Sequence, residues 1–176
     1  MSLRDDLAQS FPPLARKDAR VLILGSMPGR ASLEAQRYYA FRHNQFWPIM
    51  ADLLDFEVSL PYAQRGLALR RAGVAVWDVL KQCERPGSLD TAIVESSIVS
   101  NDFDAFFARH RQVRHVFFNG AKAEASYLRY VLKDTDAPWT AFERTRLPST
   151  SPANAGTSLA AKTRAWGAVL GALNSR

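Results

Sequence analysis

Cysteine is almost absent from this chain of 176 residues, which contains only Cys83. One cysteine excludes a disulfide within the chain and a structural zinc site of the four-cysteine kind, and it fits a reducing compartment such as the cytoplasm. Cys83 is expected to be a small buried side chain and not a reactive thiol. The fold must then be stabilised by its core, which a chain of this length with 47% hydrophobic residues can build.

Long apolar runs are also missing. No run approaches the length of a membrane span, and residues 1–6 lack the hydrophobic segment of a secretory signal. Repeats, low-complexity tracts and linkers are not apparent either. We therefore expect a cytoplasmic protein without a membrane partner, in which residues 1–176 form a single domain.

Acidic residues are outnumbered by basic ones. The chain has 23 Lys and Arg against 17 Asp and Glu, a formal charge of +6 and a pI near 9.8. Arginine dominates the basic set, and its planar fork of donors suits phosphate groups, so a nucleic-acid partner is indicated. An arginine-rich composition also follows from a GC-rich genome, and composition alone leaves both explanations open.

Apolar runs that end in breaker residues alternate with segments of helical periodicity. We predict strands at 20–24, 74–79, 113–118 and 139–146. Helices are predicted at 5–10, 44–54, 62–72, 102–110, 121–132 and 158–173, with one further helix starting near Ser32 and Gln36, and 81–100 is predicted as a loop with one irregular or helical piece. This alternation predicts an α/β fold with three α/β/α layers around a mostly parallel four-stranded sheet.

The carboxyl ends of parallel strands lie at one edge of a sheet, where α/β proteins bind their ligands. The predicted strands end at the segment Gly-Ser-Met-Pro-Gly of residues 25–29, at Asp78, at Asn119 and at the hydroxyl-rich segment 147–154. Asp78 is either a catalytic base or an acceptor that fixes a turn, and the sequence favours neither. We expect the functional site at this edge.

Three motifs on these predicted loops occur together. They are Gly25-Ser26-Met27-Pro28-Gly29, then Tyr39-Ala40 with Asn44-Gln45-Phe46-Trp47, and finally Pro148-Ser149-Thr150-Ser151-Pro152. In this combination the chain resembles the uracil-DNA glycosylase superfamily over essentially its whole length. Within that superfamily it is most similar to the hypoxanthine-DNA (DNA-deoxyinosine) glycosylases, and then to the mismatch-specific uracil glycosylases.

The resemblance implies a role for individual residues. Met27 stands where relatives carry the Asp or Asn that activates water, and a thioether cannot orient water strongly. The implied catalytic residue is therefore Asn44, Tyr39 is implied to stack on the extruded base, and Asn119 is implied to read the base edge. Base binding is further assigned to Gly25, Ser26 and Met27, and DNA binding to Pro28, Gly29, Ser149, Thr150, Ser151 and Asn154.

Two departures from the family and several simpler roles stay open. Relatives have His-Pro-Arg or similar before the asparagine, whereas this chain has Phe-Arg-His at 41–43, and Leu147 replaces a histidine that stabilises a departing uracil anion. Asn44 could also cap the following helix, because asparagine is a favoured N-cap. Trp47 is expected to be core, and a proton-donor role for His43 remains open.

The function implied by the resemblance is that of a monofunctional DNA glycosylase in base excision repair. It would flip a deaminated base, hypoxanthine and then uracil, out of double-stranded DNA and hydrolyse its N-glycosidic bond as a monomer, without metal or cofactor. One alternative is a mismatch-specific uracil glycosylase. Two alternatives of other classes are a hydrolase of small nucleotides or nucleosides and a non-catalytic DNA damage-binding protein.

Overall fold

The computed structural model describes residues 6–175. The strands in this range are β1 (Leu7–Gln9), β2 (Val21–Gly25), β3 (Val74–Asp78), β4 (Leu80–Glu84), β5 (Val99–Ser100), β6 (His115–Asn119) and β7 (Glu143–Leu147). The helices are α1 (Arg30–Ala35), α2 (Phe46–Leu54), α3 (Tyr62–Ala72), α4 (Phe103–Arg109), α5 (Ala121–Tyr130), α6 (Leu159–Trp166) and α7 (Ala168–Asn174).

A parallel sheet of four strands, in the order β3-β2-β6-β7, forms the centre of the fold. Every residue of β2 and β3 is buried, as expected for parallel strands covered on both faces. Helices α3, α5 and α7 pack against β3, β6 and β2 respectively. The α/β fold with a parallel four-stranded sheet that the sequence predicts is confirmed.

A second, three-stranded antiparallel sheet was not predicted. Its order is β1-β4-β5, and β1 pairs with β4 from Leu7 opposite Glu84 to Gln9 opposite Gln82. The helix predicted at 5–10 is wrong over residues 7–9, while residue 5 lies outside the described residues. The loop predicted at 81–100 is also wrong where β4 and β5 form. These short strands gain stability from partners that are distant in sequence, which local periodicity does not reveal.

Three predicted element boundaries are also wrong. Helix α1 begins at Arg30, not at Ser32, because the buried Ser32 hydroxyl accepts a hydrogen bond from Ala40 N at 3.1 Å instead of capping a helix. Residues 138–141 form a 3-10 turn before β7. The closing helix is divided at Gly167 into α6 and α7, although Ser158 caps it as predicted by accepting from Ala161 N.

The remaining helices agree with the prediction to within two residues at either end. Asp102 caps α4 by accepting from Ala105 N, and α3 ends at Gly73, whose φ is +89°. Among the described residues, no helix is long and apolar enough to cross a membrane.

Candidate functional site

A cavity of about 450 Å³ opens at the carboxyl edge of the parallel sheet. This volume lies within the usual range of ligand pockets, about 300–1,000 Å³. The strand ends Gly25, Asp78 and Asn119 all line it. The remaining lining residues come from four segments, namely 26–32, 38–44, 88–91 and 149–153. The structure thus brings together the segments that the sequence predicts at this edge.

The segment 25–29 is held to the segment that follows β4. Ser26 Oγ donates to Asp90 Oδ1 at 2.7 Å, and the buried Arg85 guanidinium donates to the carbonyl of Pro28. Met27 lines the cavity and is only 6% exposed. Ser26 therefore uses its hydroxyl proton inside the protein, and Met27 offers an apolar wall.

Asp78 lies directly against Gly25 at the bottom of the cavity. A Cβ placed on Gly25 would lie 2.6 Å from Asp78 Oδ1 and 3.1 Å from the Tyr39 hydroxyl oxygen, so only glycine permits this approach. Asp78 is 4% exposed, and its Oδ2 is buried without a hydrogen-bond partner. Burial, reinforced by the nearby Asp90 and opposed by Arg85, raises the pKa of Asp78 to about 7.

Tyr39 presents its ring to the cavity from an uncommon backbone conformation. Its φ of 52° lies in the left-handed region, where a residue with a side chain costs about 1–2 kcal/mol. One ring face stacks on the fully buried Phe46, with centroids 4.0 Å apart and planes at 21°. The side chain lines the cavity and is half-buried, so part of the ring is open to a ligand. Burial and the Asp78 carboxyl both raise the pKa of the Tyr39 hydroxyl.

Asn44 lines the cavity just before α2. Its Oδ1 accepts from Phe46 N, the backbone amide of the first residue of α2, at 2.9 Å, while the N-cap position itself is Gln45, which makes no side-chain capping bond. This bond uses one oxygen lone pair and neither of the amide hydrogens, so it leaves the donors of the side chain to a ligand. His43 is exposed and is not among the cavity residues, whereas Trp47 is core as predicted, at 4% exposure.

The hydroxyl-rich segment 147–154 is fixed mainly through Thr150, which is fully buried. Asn119 Nδ2 donates to Thr150 Oγ1 and Thr150 N donates to Asn119 Oδ1, both at 2.9 Å. Asn154 Nδ2 donates to the carbonyl of Ser149. Thr150 and Asn154 hold the segment in place, while Ser149 and Ser151 remain partly exposed at the cavity.

Gly120 allows this segment to approach β6. Its φ is +94°, and a Cβ there would lie 3.0 Å from the Cβ of Ser149. Any other residue would strain the turn and displace Ser149. The Asn-Gly pair at 119–120 is therefore a requirement of the site geometry as well as the end of a strand.

Sequence reasoning missed the contribution of residues 88–91 to the cavity. Ser88 Oγ accepts from Arg30 N at 3.0 Å, and Asp90 accepts from Ser26, so this segment is bonded to the segment that carries the first motif. The one available signal was the Pro-Gly-Ser turn at 86–88, which does not reveal its tertiary partners. Within residues 6–175 there is no group of three His, Cys, Asp or Glu side chains placed to hold a metal ion.

Comparison with known proteins identifies the family to which this chain is similar. A family model described as the Uracil DNA glycosylase superfamily matches residues 12–170. The chain is 34% identical over 116 residues to a protein named hypoxanthine DNA glycosylase from Methanosarcina barkeri. The matched region covers 65% of this chain and 72% of the relative. A protein of the same name from Methanosarcina acetivorans is 30% identical over 118 residues, with 66% and 73% covered.

A solved structure has the same fold. The solution NMR structure of a protein from Methanosarcina acetivorans, provisionally described as a uracil DNA glycosylase, superposes with a TM-score of 0.79 at 29% identity. The match covers 96% of this chain and 99% of the other. Since the family model spans most of the residues and the fold agrees over nearly the full length, the chain belongs to the uracil DNA glycosylase superfamily.

Proposed function

We propose that this chain is a hydrolytic DNA glycosylase that excises deaminated bases, hypoxanthine first, from double-stranded DNA. Membership of the superfamily and the two relatives named hypoxanthine DNA glycosylase support this function. The net charge of +6 suits a polyanionic substrate. The observation that carries the proposal is that Asn44 and Tyr39 line one ligand-sized cavity at the edge of the sheet.

A base must leave the helical stack before it can enter this cavity, which costs a few kcal/mol and least for a mispaired base. Tyr39 lines the cavity, and stacking of a base on an aromatic ring stabilises binding by about 1–3 kcal/mol per base. Asn119 retains one amide hydrogen and one oxygen lone pair beyond its bonds to Thr150, and these are available to the edge of the base.

Cleavage of the glycosidic bond leaves positive charge on the deoxyribose, and water must then attack that carbon. Asn44 is the residue that holds the water and stabilises this charge through its amide dipole. The partly exposed Ser149 and Ser151 line the cavity together with Gly29, and their hydroxyl groups and the Gly29 backbone amide can donate to phosphates of the opened strand.

Release of free base from purified duplex DNA tests the function. A duplex with one deoxyinosine should yield hypoxanthine and an abasic site, and a matched duplex with deoxyuridine shows whether uracil is also removed. Absence of both products in every pairing context contradicts the proposal. A protein that retained the inosine duplex but released nothing would be a damage-binding protein.

Salt dependence separates a DNA enzyme from a hydrolase of small nucleotides. Binding to duplex DNA should weaken steeply between 50 and 200 mM salt, about 1,000-fold or more when six or more phosphates are contacted, whereas hydrolysis of a monomer should change little. We further propose that residues 1–176 act as one domain, as a monomer and in the cytoplasm, where the buried Cys83 stays reduced.

A further inference from the structure

Asp78 is a buried carboxyl group whose hydrogen bonds are incomplete inside the protein. Its Oδ2 has no partner, whereas the neighbouring cavity carboxyl of Asp90 accepts from Ser26. A buried polar atom without a partner destabilises the fold, and such atoms often mark a place where a ligand completes the bonding. Asp78 also lines the cavity, against a glycine that alone allows its position, so a base bound in the cavity would lie beside its carboxyl group.

The groups around Asp78 favour its protonated form near neutral pH. Asp90 adds a second negative charge near Asp78, the neutral hydroxyls of Tyr38 and Tyr39 lie within its electrostatic reach, and among the described residues Arg85 is the cation that opposes the shift. Burial is the largest cause and raises the pKa of Asp78 to about 7. A group with such a pKa is suited to proton transfer at neutral pH.

We propose that Asp78 is the acid of this site, which bonds to a ring nitrogen of the extruded purine and protonates it as the base departs. This inference rests on the proposed function and extends it, because it makes a deaminated purine the favoured substrate. Purines carry basic ring nitrogens outside the glycosidic bond, and uracil does not. A carboxyl acid at the base of the cavity therefore assists hypoxanthine more than uracil.

The step balances without a further reactant. The bond between C1′ and N9 breaks, and its electron pair goes to the base while the Asp78 proton passes to a ring nitrogen. Water held by Asn44 then forms the new bond to C1′ and releases its proton to solvent, from which Asp78 is protonated again. The products are neutral hypoxanthine and an abasic deoxyribose.

A pH profile of Asp78→Asn under single-turnover conditions tests the proposal. The wild-type rate on a deoxyinosine duplex should fall about tenfold per pH unit above about pH 7, where the acid is lost. The Asn variant should be about 100-fold slower at pH 6.5 and show no such fall, because general acid catalysis contributes about 100-fold to 10,000-fold. Asp52→Asn, on the exposed side of α2, is the matched control and should behave as wild type.

The outcomes separate a failure of the proposed function from a failure of the role given to Asp78. If the wild type releases no base at any pH, the proposed function itself fails. If the wild type is active and Asp78→Asn keeps both its rate and its alkaline decline, only the role of Asp78 is overturned. A rate that rises through pH 7–9 also overturns it, since loss of an acid cannot accelerate the step.

A second inference concerns the rim of the cavity, where Leu89 is 60% exposed and Phe41 is 47% exposed. Leu89 is held firmly despite its exposure. Asp90 beside it accepts from Ser26, Ser88 accepts from Arg30 N, and Arg85 donates to Pro28. A rigid backbone thus presents an apolar side chain to solvent next to the entrance.

We infer that Leu89 enters the duplex and fills the space left by the extruded base. Apolar side chains that insert in this way as wedges unstack neighbouring base pairs, and the larger protein–DNA contact in the bent duplex offsets the free energy of unstacking. The exposed Arg30 lines the same rim and lies where backbone phosphates would flank the wedge. This inference also rests on the proposed function.

Comparison of two substrates tests the wedge. Leu89→Ala should slow excision from a fully paired deoxyinosine duplex about tenfold or more, and should leave excision from an unpaired bubble within about twofold of wild type. Fluorescence of a 2-aminopurine next to the inosine should show reduced extrusion. Leu128→Ala, which removes the same side chain at a position on α5 that is 46% exposed, is the matched control.

Equal loss on both substrates, or no loss on either with unchanged fluorescence, overturns the inference. Loss confined to the paired duplex in Phe41→Ala but not in Leu89→Ala would assign the wedge to the other side of the rim. Absence of base release by the wild type would instead reject the proposed function.

Discussion

Asn119 and Thr150 hold each other through two hydrogen bonds of 2.9 Å, one in each direction. Thr150 O also accepts from Gln45 N, and Gln45 Oε1 accepts from the buried Lys162 Nζ. This chain of bonds connects the end of β6, the hydroxyl-rich segment, the start of α2 and α6. The residues next to it, Asn44 among them, are therefore positioned by three distant parts of the sequence.

Thr150→Val should lower both stability and activity. The valine keeps the shape of threonine but leaves Asn119 Nδ2 without its buried acceptor, which costs about 1–3 kcal/mol. Urea unfolding measures the stability, and excision from a deoxyinosine duplex measures the activity. The segment that carries Ser149 and Ser151 loses one of its attachments, so the affinity for DNA should weaken as well.

Thr150→Ser is the matched control, since it retains the hydroxyl and loses only a methyl group. Its activity should stay within about twofold of wild type, and its stability should fall by about 1 kcal/mol from the lost methyl alone. If Thr150→Val and Thr150→Ser change stability and activity equally, the hydrogen bonds to Asn119 do not position the segment 147–154.

Asn44→Ala should reduce the single-turnover rate about 100-fold to 1,000-fold, which corresponds to an increase of about 3–4 kcal/mol in the activation free energy. This is the usual loss for one well-placed donor at a reacting centre. The backbone amide of Phe46 also loses its acceptor, at about 1 kcal/mol of stability. Rates must therefore be measured well below the unfolding temperature of the variant.

Asn44→Ser separates these two effects. Serine retains a side-chain acceptor for the Phe46 amide but lacks the amide donors of asparagine. We expect stability near that of wild type together with the full loss of rate. A Ser variant with wild-type activity would assign catalysis to another residue at the edge of the sheet.

Gly25→Ala should destabilise the protein by about 1–3 kcal/mol, the usual cost of overpacking a well-packed site. The added methyl would lie 2.6 Å from Asp78 Oδ1 and 3.1 Å from the Tyr39 hydroxyl oxygen, so both groups must move. Thermal unfolding measures the cost. The same Gly25→Ala change in an Asp78→Ala background no longer meets the carboxyl oxygen, so its destabilisation should be smaller by about 1 kcal/mol than in the wild-type background. If the effects of the two substitutions on the free energy of unfolding simply add, the strain does not come from the contact with Asp78.

Asp78→Asn should stabilise the fold at neutral and alkaline pH. The pKa of Asp78 is raised from 3.8 to about 7 in the folded protein, so the stability that its protonated form contributes is complete below about pH 4 and is lost as the pH rises through 7. A change of one pKa unit corresponds to about 1.36 kcal/mol, so the free energy of unfolding of the variant should exceed that of the wild type by up to about 4 kcal/mol at pH 8.

Urea unfolding at several pH values checks this sign. The difference between variant and wild type should vanish near pH 4 and grow toward pH 8. Asp90, whose pKa burial also raises, repels the ionised Asp78, so the Asn variant removes this repulsion as well, and its removal is part of the expected gain at pH 8. A variant that is less stable at pH 8 would show that the ionised carboxyl has a favourable partner.

Particular elements show how far the sequence carried the interpretation. The run Val-Leu-Ile-Leu before Gly25 identified β2, because a strand buried on both faces is apolar at every position. Asp102 and Gly73 marked helix ends for local reasons of capping and φ. The short β1 and β5 could not be found, since their stability comes from pairing with β4 and their own residues carry too little pattern.

The features of the candidate site are likewise either local in the sequence or dependent on the tertiary structure. The sequence by itself determined which residues stand at the strand ends, that Met27 replaces a polar group, and that Asn44 precedes a helix, because motifs and caps are local. Only the tertiary structure decided that Thr150 is buried against Asn119, that residues 88–91 line the cavity, and that Asp78 lies unpaired on Gly25. These relationships join residues far apart in the chain, and the packing of the whole fold fixes their distances and their exposure to water.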